Sequence, residues 1–295
     1  MAISLDPIDG TAMKAQFPLL SREVHGKPIV YLDSAATSQK PLSVLHAMDD
    51  YYRTINSNVH RGVYMIAEEA TNRMEMARAL VRDFIGARSS SEIIFTKNAT
   101  EALNMVAQSW GRANLSAGEV VVLSHMEHHA NIVPWHMLAA EIGIQLRWIP
   151  LDTEGRLDLT ELDALLDGAK VLSVTAMSNV LGTMNPVRTL TDAARKAGAI
   201  SMIDGCQSVP HSATNVQELG ADFLAFSGHK MCGPTGIGVL YGREDLLEAM
   251  PPFLGGGEMI RDVRLDGFTT NDLPWKFEAG TPAIAEIIGL GAAVE

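Results

Sequence analysis

Short apolar runs and longer amphipathic stretches alternate along the chain. Seven runs read as strands: Glu92–Thr96, Glu119–Ser124, Gln145–Ile149, Val171–Met177, Ile200–Ile203, Asp222–Phe226 and Gly236–Tyr241. Six stretches with helical spacing read as helices: Pro41–Tyr52, Glu68–Ile85, Ala99–Trp110, Ile132–Ala140, Leu159–Leu166 and Thr189–Ala197. Several strands are apolar almost throughout, as strands covered on both faces must be. Such alternation predicts an α/β fold with a largely parallel central sheet and flanking helices. Ligands of such sheets sit beyond the carboxyl ends of the strands, so the chemistry is expected there. A last apolar stretch, Thr281–Glu295, reads as a helix start with no C-terminal cap, so a longer natural chain is expected. The sequence shows no tandem repeat, low-complexity tract or Ser/Gly linker.

A chain of 295 residues holds one large domain, or one plus part of a second. Its 23 Lys and Arg against 35 Asp and Glu leave a net charge of −12. An acidic surface repels phosphate backbones, which argues against nucleic-acid binding. No apolar run approaches the ~20 residues that cross a bilayer, so no membrane partner is expected. Asp6, Asp9 and Lys14 precede any long apolar run, so no secretory signal is read. Two cysteines, Cys206 and Cys232, cannot build a disulfide framework. The expectation is a soluble cytoplasmic protein.

Five segments at strand ends carry candidate chemistry. In Ala221–Leu240 a buried strand runs into Ser227, Gly228, His229 and Lys230, then a glycine-rich loop. A lysine held partly desolvated there is a nucleophile toward carbonyls, and the glycines let backbone approach a ligand. A lone lysine at such a place would more often snorkel to solvent. In Ile200–His211, Asp204 ends another apolar strand and could hold a cationic ring nitrogen; the plain alternative is an Asp-Gly turn. In Ser124–Trp135, His128 could lie flat on an aromatic cofactor. It could also bind metal with His125 and His129, a weaker reading without a nearby carboxylate or cysteine cluster. In Phe95–Leu103, Asn98 and Glu101 have capping-box spacing before a helix whose free N–H groups, with the Thr100 hydroxyl, suit a phosphate. In Met177–Pro186, Asn179 could donate to a phenolate, or could simply shape a turn. Together these groups meet the demands of pyridoxal phosphate. Lys230 follows Asp204 by 26 residues, enough for one helical crossover between parallel strands.

Several blocks resemble the cysteine desulfurases of the class V aminotransferase superfamily, specifically the SufS-like (group II) branch. They are YLDSAATSQKP, NVHRGVY, NATEALN, SWGR, MEHHANIVPW, SNVLGT, IDGCQSVPH, FSGHKMCGPTGIGVLYG, GGGEMI and FEAGTP. The resemblance implies the fold of type I pyridoxal-phosphate enzymes and conversion of L-cysteine to L-alanine with an enzyme persulfide. L-Selenocysteine would serve similarly, and the sulfur would feed iron–sulfur cluster assembly through a SufE- or SufU-like acceptor. Residue by residue, it implies a Schiff base and proton shuttle at Lys230, a ring-nitrogen partner in Asp204 and a stacking group in His128. Asn179 and Gln207 would bond the phenolate oxygen. Ala99, Thr100, Ser227 and His229 would hold the phosphate, with Thr281 reaching the neighbouring subunit's phosphate in a homodimer. Ala35, Ala36, His60 and Arg61 would line the substrate entrance.

The family carries its sulfur-accepting cysteine on an R-x-G-x-x-C loop that this sequence does not contain. The resemblance therefore implies a chain cut before most of the small C-terminal domain and lacking the persulfide cysteine, so inactive in sulfur transfer as it stands. Residues 1–20 would belong to the small domain and 21–295 to the large cofactor-binding domain. Cys206 and Cys232 read as small buried residues. Two rivals remain: a kynureninase-like lyase or aminotransferase of the same superfamily, and a serine acyl-enzyme hydrolase with Ser227–Lys230 as S-x-x-K. The second lacks the companion motifs. A fragment that only binds cofactor or dimerises is the third reading.

Overall fold

The computed structural model describes residues 9–295; residues 1–8, with Asp6 and the first part of the expected 1–20 segment, lie outside the described residues. Strands β1 (Glu23–Val24) and β2 (Lys27–Pro28) form a small hairpin. Seven strands make the central sheet: β3 (Ile93–Thr96), β4 (Val120–Ser124), β5 (Gln145–Ile149), β6 (Ala169–Thr175), β7 (Ile200–Asp204), β8 (Phe223–Ser227) and β9 (Gly238–Gly242). Their order is β3-β9-β8-β7-β6-β4-β5. Only β9 is antiparallel to its neighbours; the other six run parallel. Strands β10 (Ile260–Arg264) and β11 (Gly267–Thr270) form a separate, largely exposed hairpin.

Period-two alternation fills a core on each face of the sheet. In β4, Val120 and Val122 face one core while Val121 and Leu123 face the other. In β8, Leu224 and Phe226 oppose Phe223 and Ala225 in the same way. Each such large side chain, once buried, stabilises the fold by about 1.5–3 kcal/mol. Helices Met65–Phe84 and Ile284–Val294 cover the first face; Ala99–Met105 and Val133–Ile142 cover the second. The apolar stretch near Glu295 is thus a helix packed between Met65–Phe84 and Leu42–Asp50. A Cβ on Gly291 would lie 2.8 Å from the Ala77 Cβ, so glycine permits that close crossing.

The elements depart from expectation at their ends. Strand β6 stops at Thr175, because Met177 turns away to bridge Met184. The helix expected from Leu159 begins at Leu162; Asp158 captures both the N–H and the hydroxyl of Thr160 in a turn. The stretches around Tyr51–Ile55 and Val106–Gly111 widen to i→i+5 spacing at the end of their helices. No described helix is long and apolar enough to cross a membrane.

Candidate active site

Strand order reverses at β4 and β6, which lead their chains away in opposite directions. At the carboxyl ends of this sheet lies a cavity of about 520 Å³. Asp204, 3% exposed, is the last residue of β7, opposite Thr175 of β6 and Ala225 of β8. One of its oxygens accepts the Cys206 N–H at 2.9 Å. Lys230 enters from the turn after β8, His128 from the loop after β4 and Asn179 from the loop after β6. Ala35, Ala36, Ala99, Thr100, Gln207, Ser227 and His229 complete the expected set in this cavity.

The hydrogen bonds refine several expectations. Ala99 donates its N–H to Ser227 Oγ at 2.8 Å, so that N–H is occupied by protein. Glu101 and Ala102 donate to Asn98, which leaves the Thr100 N–H without a protein acceptor among the described residues. The capping box is displaced by one residue: Asn98 caps Glu101, but Glu101 reaches the Lys97 N–H at 2.6 Å. Gln207 Nε2 donates to the Ala35 carbonyl at 2.7 Å, keeping its second hydrogen. A Cβ at Gly238 would fall 2.5 Å from the Asn98 backbone, so only glycine lets β9 pass this helix start. Ser227 Oγ is therefore a brace for the helix start.

His128 Nδ1 accepts the Ala130 N–H at 3.1 Å, leaving Nε2 to carry the proton of a neutral ring. Partial burial lowers its pKa, with Lys230 and His129 adding and Asp204 opposing. His125 packs toward Trp148, and no metal-ligating cluster occurs among the described residues. The metal alternative at these histidines therefore has no ligand set.

Three expected residues stand elsewhere. His60 is held between Glu258 (Nδ1, 2.9 Å) and Glu75 (Nε2, 3.2 Å), and Arg61 pairs with Glu258 at 3.3 Å. The Glu75 hydrogen bond raises the His60 pKa, with burial opposing and Glu258 adding. Glu75 also meets Arg78, which is fully buried and bound to both Glu278 oxygens at 2.7 and 2.9 Å. This ion network, not the cavity, fixes His60 and Arg61. Thr281 lines a separate groove with Lys97 and Gly236. The cysteines also differ from expectation. Both are half-buried rather than buried, and Cys206 lines the cavity. Burial, with Asp204 beside it, pushes the Cys206 thiol well above its ordinary range. Asp33, Ala130, Thr175 and Met177 line the cavity too. Of these, Met177 was legible as the last residue of the expected strand Val171–Met177, although β6 itself ends at Thr175.

Glu127, in the loop after β4 that carries His128, is 8% exposed. It accepts from Ser124 Oγ at 2.5 Å and Asn131 Nδ2 at 2.7 Å. Burial pushes its carboxyl up to about 7, against those two hydrogen bonds, with Asp204 adding to the rise. A carboxyl raised on folding holds its proton more tightly in the native state. Its contribution is present below about 4.5 and is lost as pH climbs through about 7. The expected loss is on the order of 1–3 kcal/mol. Urea denaturation between pH 5 and 8 checks it: Glu127→Gln should flatten the slope, and an unchanged slope would contradict the assignment.

The class-V aminotransferase family model matches residues 30–295. A probable cysteine desulfurase from Halalkalibacterium halodurans is 53% identical over 284 residues, covering 96% of this chain and 70% of that protein. The chain belongs to the class-V aminotransferase family, in its cysteine desulfurase group. A probable cysteine desulfurase from Synechocystis sp. is 51% identical, covering 98% of this chain and 69% of that one. The apo structure of the cysteine desulfurase from Thermococcus onnurineus superposes with a TM-score of 0.91 at 43% identity, covering 97% of this chain and 70% of that one. The family is dependent on pyridoxal phosphate. The cavity suits that group: an amine, a buried carboxylate and a glycine-cleared helix start face one space of ring-plus-phosphate size.

Proposed function

We propose that the protein is a SufS-like cysteine desulfurase. It takes sulfur from L-cysteine, and comparably from L-selenocysteine, and leaves L-alanine. The observation that carries this reading is the meeting of Lys230, Asp204 and His128 in one cavity from three separate strand ends. Lys230 would hold pyridoxal phosphate, Asp204 its ring nitrogen and His128 its ring face. Asn179 and the second Gln207 hydrogen would meet the phenolate oxygen. Thr100, Ser227 and His229 would surround the phosphate.

Bound there, the cofactor supplies an electron sink for bonds broken at the substrate α-carbon. Asp204 keeps the sink charged, because a buried carboxylate stabilises a cation beside it. Lys230 would carry protons to and from the substrate carbons. Neutral His128 would offer a flat ring and an Nε2 proton. Ala35 and Ala36 leave room for a small substrate. Over the whole reaction, L-cysteine and an acceptor thiol become L-alanine and a persulfide.

Neither cysteine of this chain suits sulfur acceptance. Cys206 stands against Asp204 with its thiol kept protonated. Cys232 sits in a left-handed turn (φ 64°) whose N–H is bonded to Ser38. In a longer chain that carries the family's R-x-G-x-x-C loop, Cys206→Ser and Cys232→Ser are expected to leave alanine formation from L-cysteine within about twofold. Loss of alanine in either variant would move sulfur acceptance to that residue.

The reading extends to assembly and location. His60, Arg61 and Thr281, away from the chain's own cavity, would serve the neighbouring subunit's cavity in a homodimer. Exposed Val63, Tyr64 and Met65 adjoin His60 and Arg61 on that side. Residues 1–20 would join a smaller domain; no residue of helix Gly10–Ala15 or turn Pro18–Ser21 is buried. A SufE- or SufU-like protein would accept the sulfur in the cytoplasm for iron–sulfur cluster assembly.

A further inference from the structure

The turn that presents Lys230 is tied from outside the sheet. The His229 carbonyl, which begins the Lys230 peptide, collects four donors from one loop. Ser38 N–H reaches it at 2.9 Å, Ser38 Oγ at 3.0 Å, Thr37 Oγ1 at 3.1 Å and Lys40 Nζ at 3.0 Å. Ser38 Oγ also accepts the Cys232 N–H at 2.7 Å, so the backbone on both sides of Lys230 is fastened to one residue. Lys40 closes the knot through the Ser38 carbonyl at 2.5 Å.

A carbonyl oxygen offers two lone pairs, and the Ser38 groups alone could fill them. An ammonium added to that set is more than the turn needs for shape. Burial disfavours the Lys40 charge, Cys232 is the group that favours it, and no carboxylate pairs with it among the described residues. Burial lowers the pKa of His229, and Lys230 and then Lys40 add to that. A charge kept at a desolvation cost on the carbonyl that begins the Lys230 peptide calls for a role at that turn.

We propose that Lys40 is a positioning residue for Lys230: with Thr37 and Ser38 it clamps the His229 carbonyl, fixes where the Lys230 side chain departs, and holds a positive charge on the peptide that carries the reacting lysine. This rests on Lys230 being the cofactor-bearing lysine. A fixed cation disfavours a proton on the cofactor–Lys230 linkage. Removing it should therefore raise the pH at which that linkage titrates.

The test uses the protein with pyridoxal phosphate bound, as wild type, Lys40→Met and Lys40→Arg. Borohydride reduction and peptide mapping should mark Lys230 in all three. In Lys40→Met the visible-absorption titration midpoint should rise by roughly half a pH unit or more. Its cofactor circular-dichroism band should also fall about twofold or more as the ring loses a fixed orientation. Lys40→Arg, which keeps the charge, should hold the wild-type midpoint. If Lys40→Met does not fold, Lys40→Gln replaces it and should show the same rise. Marked Lys230 with midpoint and band both unchanged in the neutral variant would overturn the proposal. No mark on wild-type Lys230 would overturn the cofactor assignment itself, and the proposal with it.

Discussion

With an acceptor thiol supplied, Lys230→Ala is expected to abolish covalent capture of pyridoxal phosphate and to cut alanine formation from L-cysteine by about 10²–10⁴-fold. The residue follows β8, whose five residues are all buried, and its departure point is tied at His229 and Cys232. Among the described residues no other lysine lines the cavity. The fold should survive, because Lys230 is half-buried at a loop and takes no part in either core. Single-turnover assays of Lys230→Ala with L-cysteine measure the loss. Turnover within about tenfold of wild type would remove Lys230 from the proton-transfer role.

With the same acceptor thiol supplied, Asp204→Asn should lower turnover by about 10²–10³-fold with little change in stability. The substitution keeps an oxygen for the Cys206 N–H at the end of β7. It removes only the negative charge that a protonated ring nitrogen requires. The effect should therefore appear in kcat far more than in the binding of L-cysteine. An Asp204→Asn enzyme with a wild-type kcat would contradict the assignment, whatever its affinity.

The parallel sheet was legible because its strands are apolar on both faces, and β5 matches the expected Gln145–Ile149 at both ends. The β10–β11 hairpin was not legible. Its residues are almost all exposed and carry no buried face to set a period. Lys230, Asp204, His128 and Asn179 were legible because strand ends collect at one edge of such a sheet. Their spatial company could be inferred from that rule alone. The placement of His60 and Arg61 could not, because it depends on an ion network joining residues 60, 75, 78, 258 and 278. Likewise the Thr37–Lys40 clamp joins residues about 190 positions apart, with |i−j| of 189 to 192. Hydrogen bonds of that sequence separation leave no periodic trace. The occupied Ala99 N–H was hidden for the same reason: its partner, Ser227, is 128 residues away.

The most direct test of the central claim is borohydride reduction of the purified protein with pyridoxal phosphate, followed by peptide mass mapping. The account predicts one phosphopyridoxyl mark, on the peptide carrying Lys230. A mark confined to another lysine, or bound cofactor that leaves every lysine unmarked, would contradict it.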